Sequence, residues 1–531
     1  MGYATLMHRA YLGAMLAGLT GFSSVHASGL PPIPEQPKAG AVERIPSAWR
    51  GYFIQARAAE RIADPLQRCL AFPDLPGNKW PAGHAAAHCR HHYSSTRLTL
   101  AEIRGLIEKG EIASLDQRVD EILRRHYSVE GFSEEIHDTF EYLLYSSDQE
   151  TDQLTASWLE KAPDSAYAHL ARGSFYLASA WDARGTKYSS ETSQESIRRM
   201  SALADKAVPH LEKAAGLNPK LIPAFTSMIA LGMLDSRPAL ERKGIREAEK
   251  LDPACLELAR KKMWTLQPRW GGSYEEMLVY SNQLLTYVDR RPQLAIYVGK
   301  PYADRGDRLI ADNQFTQEAQ DILDIALATG TDEDALRDAA NVAANRTDVE
   351  RDYWRAAAYL LQETRFRETS AWGARQIAWR LVRSEPEWSL RYSSQAVTLD
   401  QENSFGHYLL AAGYNNAKQF DLAEKQYVVA LQDSIYRRAS LLEVSRMWMF
   451  DSGLGPKEAV AKAGPYVDRW LGEYPNDGAA WIMRLHVKIN SDGSVDDQLI
   501  DTVLKMADRK DPWQASVVAS LEKARTAPPK K

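Results

Sequence analysis

Residues 404–437 read SFGHYLLAAGYNNAKQFDLAEKQYVVALQDSIYR. In this stretch Leu410, Ala411 and Tyr414 are followed by Ala423, Tyr427 and Ala430. Small and large apolar residues thus recur three and four apart, the period of a helix face. Small residues let two helices approach closely, and large ones fill the space between neighbouring units. Working outward, Leu217-Asn218-Pro219 returns as Leu251-Asp252-Pro253, and Ala214 returns as Ala248, both after 34 residues. Leu266-Gln267-Pro268 and Leu399-Asp400 are weaker echoes. Several residues recurring together at one spacing argue for internal repeats rather than chance alanines in a helical bundle. One unit of this size cannot bury its apolar face alone, so its neighbours must stack on it.

The 34-residue spacing and the pattern W-x2-L-G-x2-Y, A-x3-F-x2-A-x4-P resemble the tetratricopeptide repeat. Residues 404–437 match it best, with Ile435 in place of the proline. An earlier copy has Arg172-Gly173-x2-Tyr176, then Ala207, Leu211, Ala214 and Pro219, with an insertion between its halves. A third copy ends at Pro253 and has Glu241 where a small residue is expected. The resemblance implies an all-α fold, a right-handed α-α solenoid of helical hairpins. The rest of the chain agrees. Thr99-x2-Glu102 reads as a capping box ahead of Ile103, Leu106 and Ile107, and Ser384-x2-Glu387 as another, with Pro386 in the first turn. Strand-like alternation with hairpin turns is nearly missing.

A second resemblance covers residues of about 100–290. Trp158-x4-Pro163-Asp164-Ser165, then Trp181-x2-Arg184-Gly185, then Pro268-Arg269-Trp270-Gly271-Gly272-Ser273 are similar to the landmarks of a bacterial family of unknown function. It implies a helical, repeat-like domain and no reaction. Each landmark also has a structural reading. Gly185 caps a helix, Gly271-Gly272 allow a reversal that Trp270 closes, and Ser273 with Glu276 caps the next helix.

The chain has 531 residues, 44% hydrophobic and 25% charged, and a net charge of -5. That composition suits a globular chain with a real core. It lacks the basic excess that nucleic acid requires, so no nucleic acid partner is expected. Ala10 to Phe22 is an apolar run behind His8 and Arg9, and Val25-His26-Ala27 fits a small-x-small cleavage site. Residues 1–27 therefore read as a signal peptide cut between Ala27 and Ser28, which makes the mature chain periplasmic or secreted. No later stretch is apolar enough to span a membrane. Cys69 and Cys89 bracket a loop rich in Pro and Gly, where a disulfide would hold what helical hydrogen bonds cannot. Cys255 reads as a buried, inert thiol.

The expected divisions are a Pro-rich linker at 28–48, an N-terminal segment with the disulfide loop at 49–98, and the helical-repeat domain of unknown function at 99–290. A region of degenerate repeats follows at 291–403, then tetratricopeptide-like repeats at 404–523 and a disordered tail at 524–531. Four of the twelve histidines lie at 84–92. His84 and His88, four apart on a helix, are weak metal candidates. The histidine-rich loop itself is the plainer reading, and no metal or other cofactor is expected. Nucleophile-elbow, phosphate-loop and dinucleotide motifs are missing, so catalysis is not expected. The function these features favour is binding of a protein or an extended peptide in a concave groove. Phe405, Tyr408, Ala412, Asn415 and Asn416 would line it in the best copy, with Tyr167, Leu170, Ser174 and Leu177 in the earlier one. The alternative is a cell-envelope hydrolase acting on cell-wall material through an acid pair distant in sequence.

Overall fold

The computed structural model describes residues 30–35, 42–93, 97–128, 134–187, 189–493 and 495–526. The signal sequence with its cleavage site lies outside the described residues. Among those described, the chain is all-α, with no strand. No helix among them is long and apolar enough to cross a membrane. The chain divides into two compact units. One comprises residues 62–352 with 365–367; the other comprises the described parts of 27–61, 353–364 and 368–531.

The first unit begins with the helices Pro65–Ala71 and His84–His92, joined by the Cys69–Cys89 disulfide with a Cα–Cα distance of 5.7 Å. The loop between them is pinned by Lys79 N–H and Trp80 Nε1–H, which donate to Ala328 O and Leu327 O at 2.7 Å each. The helix Leu100–Glu108 starts with the expected capping box: Thr99 accepts from Glu102 N–H, and the Glu102 carboxylate accepts from Thr99 N–H. The helices Ala166–Arg184 and Gln194–Leu217 then form a long hairpin, followed by Ile222–Leu234 with Pro238–Leu251. The insertion expected in the earlier copy therefore lengthens both helices and the link between them.

The repeated Leu-Asx-Pro triplet marks one physical event. At Asn218 and at Asp252 the helix ends in an extended residue whose N–H donates to Ala214 O and to Ala248 O. The following proline cannot continue the helix. Glu241 is tolerated because the small residue sits on the opposite helix. A Cβ on Gly232 would lie 2.7 Å from Glu241 N, closer than atoms can approach. Gly232→Ala should therefore destabilise this unit by about 1–3 kcal/mol, read as a lower urea midpoint with an unchanged slope.

The second unit stacks Ala371–Leu381 with Pro386–Leu399, Ser404–Asn416 with Phe420–Ala430, and Ser434–Arg446 with Pro456–Glu473. The helix Gly478–Asp492 follows. Ala423, Tyr427 and Ala430 are buried between helices, as their spacing predicts. The helix Ser47–Glu60 belongs here. Its Phe53 ring meets Trp354 and Trp388 edge-on, 5.2 Å and 6.3 Å away. In the Pro-rich segment Ile33 is buried, and Arg57 and Arg391 donate to Glu35 O and Pro31 O. Two expectations are corrected. Ser384 and Glu387 form no capping box, because the helix opens on Pro386 with Glu385 at the cap and no side-chain bond. The last helix, Pro512–Thr526, extends through 524–526 of the expected tail, and 527–531 lie outside the described residues.

Candidate functional site

In the second unit the first helices of successive hairpins lie next to one another: Ala371–Leu381, Ser404–Asn416, Ser434–Arg446 and Gly478–Asp492. Aromatic rings link them into a ladder. Tyr353 is 5.9 Å from Trp379, Trp379 is 5.8 Å from Phe405, and Phe405 stacks on Tyr436 at 5.2 Å. Tyr408 stacks on Tyr436 at 6.2 Å and stands edge-on to Tyr427 at 6.0 Å. The Arg380 guanidinium sits 3.4 Å from the Tyr353 centroid and 3.6 Å from that of Trp379. Trp379 keeps 42% of its surface exposed, and Ile435, beside Tyr436, keeps 67%.

Phe405 and Tyr408 are half-buried in this ladder. Burial pushes the Tyr408 hydroxyl up to about 12, so it stays protonated. Asn415 Nδ2 lies 3.4 Å from Asp451 Oδ2, while its Oδ1 is buried with no hydrogen-bond partner. Asn416 is exposed and its Nδ2 donates to Ala412 O. Trp379, Tyr436 and Ile435 were not legible as groove residues. Trp379 lies where the repeats are degenerate, and Ile435 and Tyr436 fall at the end of the best copy, where Ile435 takes the place of the proline.

The earlier copy is corrected. Tyr167, Leu170, Ser174 and Leu177 are buried, at 7%, 0%, 0% and 1% exposed. Tyr167 Oη donates to Asp120 Oδ1 at 3.0 Å, and its ring stacks on Phe140. The helices before residue 166 cover the face that would otherwise be open.

His84 and His88 are also placed differently from metal ligands. His84 Nδ1–H donates to Pro292 O at 2.7 Å, and Nε2 accepts from Thr331 N–H at 3.0 Å. His88 Nδ1 meets Thr331 Oγ1, its Nε2 meets Glu333 at 2.9 Å, and its ring stacks on Phe366. Every ring nitrogen of the pair is already engaged. Burial lowers the His84 pKa from 6.5 to about 4. Its two bonds require the neutral ring, since a protonated Nε2 cannot accept from Thr331. The unfolded chain takes up this proton below 6.5 and the native state only near 4. Stability is therefore complete above 6.5 and falls as pH drops through that window. Acidification from about pH 7.5 to about pH 5 should cost about 2 kcal/mol through this residue. His84→Gln should flatten that part of the stability–pH curve in denaturant titrations.

The landmark residues of the second resemblance converge. Trp181 stacks on Trp264 at 5.3 Å, and Trp270 stands edge-on to both, at 6.0 Å and 5.8 Å. Arg184 lies over Trp181 and Trp270. Gly185 caps its helix with φ 72°, and Gly271 turns the chain with φ 96°. A Cβ on Gly272 would fall 2.2 Å from Leu266 O. Glu134, Glu141, Asp252 and Glu257 are buried carboxylates paired with Arg291, Lys261 and Arg260.

Residues 99–239 match the family described as a domain of unknown function, DUF4034. No curated protein matches the chain. Among solved structures the chain is similar to YrrB, described as a TPR protein with an unusual peptide-binding site. That likeness is at 19% identity over 35% of this chain and 91% of that one, with a TM-score of 0.31. It is similar to the TPR domain of P58(IPK) at 11% identity over 78% and 99%, TM-score 0.26. It is similar to yeast Tom70 at 13% identity over 79% and 97%, TM-score 0.27. The chain is a tetratricopeptide-like helical protein that includes a domain of unknown function, and that description rests on its own helices and repeat caps.

Proposed function

We propose that this is an exported binding protein that takes an extended protein segment along the first helices of its second unit. The aromatic ladder from Tyr353 through Trp379 and Phe405 to Tyr436 carries the reading. It crosses successive hairpins and leaves Trp379 and Ile435 exposed, although burying them would be favourable. In a stack of helical hairpins the face of the first helices is the concave side on which extended ligands lie. Aromatic anchors supply most of the energy of such contacts. Asn415 Oδ1 has no hydrogen-bond partner, and a turn of its side chain would let it accept from a peptide N–H. Export is supported by the apolar run at 10–22 with its cleavage motif, and by a disulfide suited to an oxidising compartment.

Peptides selected by display on the mature protein test the reading. Trp379→Ala with Phe405→Ala should weaken their binding by about 2 kcal/mol or more, roughly thirtyfold in Kd, by calorimetry. Asn415→Ala should cost about 0.5–1.5 kcal/mol. Unchanged affinity in the aromatic variant, with its fold intact by circular dichroism, would remove the second unit's first-helix face from consideration.

A further inference from the structure

The Leu251-Asp252-Pro253 cap that ends one repeat delivers Cys255 to the first turn of the next helix, Leu256–Thr265. Cys255 is fully buried there, beside polar side chains. Its Sγ lies 3.2 Å from Glu134 Oε2 and 3.4 Å from His137 Nε2. His137, fully buried, comes from the short helix Glu135–His137, directly before a π-helical turn at Asp138–Leu143. Such turns are frequent at functional sites. His126, 3% exposed, comes from the end of the helix Ile112–Ser128.

One donor atom from each of His126, His137 and Cys255 lies within 4.8 Å of the others. His126 is the anomaly. Neither of its ring nitrogens makes a hydrogen bond, and the nearest carboxylate oxygen, Asp252 Oδ2, stands 3.4 Å from Nε2. A buried imidazole with one nitrogen unbonded and the other held only by a long contact to Asp252 is costly, because both nitrogens have lost water. His137 shows the opposite. Glu141 Oε1 takes its Nδ1 at 2.8 Å, which fixes the tautomer and turns Nε2 toward Cys255 and Glu134. Glu141 is in turn held by Thr226 and by Lys261. A carboxylate behind a histidine is the support that metal-bound imidazoles usually have.

We propose that His126, His137 and Cys255 form a structural site for a zinc-class divalent cation, with Glu134 Oε2, beside Cys255 and His137, as the side chain nearest to hand for a fourth donor. Two imidazoles, one thiolate and one carboxylate are the donors that tetrahedral zinc takes. Magnesium and calcium, which prefer oxygen throughout, do not suit the set. Two of the helices that meet here, Ile112–Ser128 and Glu135–His137, lie ahead of the repeats, and the third, Leu256–Thr265, follows the Asp252 cap. The cation locks the DUF4034-matching segment at its Ile112–Ser128 helix to the repeat that begins at Cys255. Loading releases the Cys255 proton to solvent and changes no oxidation state.

The test uses mature protein stripped with a chelator and titrated with Co2+ and then with Zn2+ alone. One equivalent of Co2+ should bind and give a thiolate-to-cobalt absorption band, which Zn2+ then abolishes. Zinc should also raise the Tm. Cys255→Ser and His126→Asn should lose the band, while His88→Gln should keep it. If those two variants fail to fold, X-ray absorption of the zinc-loaded wild type decides the matter. It should show one sulfur at about 2.3 Å and nitrogens at about 2.0–2.1 Å. No stoichiometric binding, a zinc shell without sulfur, or a band that persists in folded Cys255→Ser protein would overturn the site.

Discussion

Arg291→Met should cost the first unit about 3–5 kcal/mol, because it takes from buried Glu134 its close cation and leaves Asp252 only the longer contacts of Arg290 and His126. Arg291 reaches across sequence to Glu134, donates to Asp252 Oδ2 at 2.8 Å, and donates to His126 O at 3.3 Å. Glu134 and Asp252 are 4% and 1% exposed, so neither can recover its solvation when the guanidinium goes. Arg124→Met is the contrast. Arg124 pairs with Asp120 at the surface, with 67% of its side chain exposed, and its loss should change stability by less than about 1 kcal/mol. Chemical denaturation of both variants beside the wild type reads the difference. Similar midpoints would show that the buried pairs are not what holds the repeat caps together.

In the second unit, Trp388→Ala should cost about 3–5 kcal/mol. Trp388 is fully buried, stands edge-on to Phe53, and donates its Nε1–H to Glu60 Oε2 at 2.9 Å. The substitution opens a cavity and removes a donor from a buried carboxylate that Tyr392 also serves. Since Phe53 and Glu60 both lie on the helix Ser47–Glu60, hydrogen exchange should accelerate in that helix first. Trp388→Phe keeps most of the volume and should cost roughly 1–3 kcal/mol, chiefly for the lost hydrogen bond.

What was legible in the sequence was local and periodic. The triplets at 217–219 and 251–253 marked true helix ends because a proline after an extended residue stops a helix wherever it occurs. The same backbone bond recurs at Asp400, whose N–H donates to Ala396 O without a following proline, and the full cap at Tyr474, which precedes Pro475 and donates to Trp470 O. Tyr474 went unread because the residue in the cap has no Asx side chain, although the backbone event is identical. Tyr167 and Ser174 were placed on an open face by carrying a repeat position over from 404–437. The preceding helices cover that face, and a repeat pattern does not report what lies outside the repeat. The cluster of His126, His137, Cys255 and Arg291 was illegible for another reason. Its members stand in separate elements with no shared spacing, and only the packing of the helices brings them together. Cys255 alone, on an apolar face after a repeat cap, reads as an inert core thiol.

The central claim is that extended segments bind along the first helices of the second unit. A photo-crosslinking amino acid at position 435 or 379, against one at 422 or 428, tests it most directly. Leu422 and Val428 are also exposed, at 41% and 40%, but lie on the second helix Phe420–Ala430. With a display-selected peptide, crosslinks should form at 435 and 379 and be competed by unlabelled peptide. Crosslinks confined to 422 and 428, or spread equally over all four positions, would contradict it.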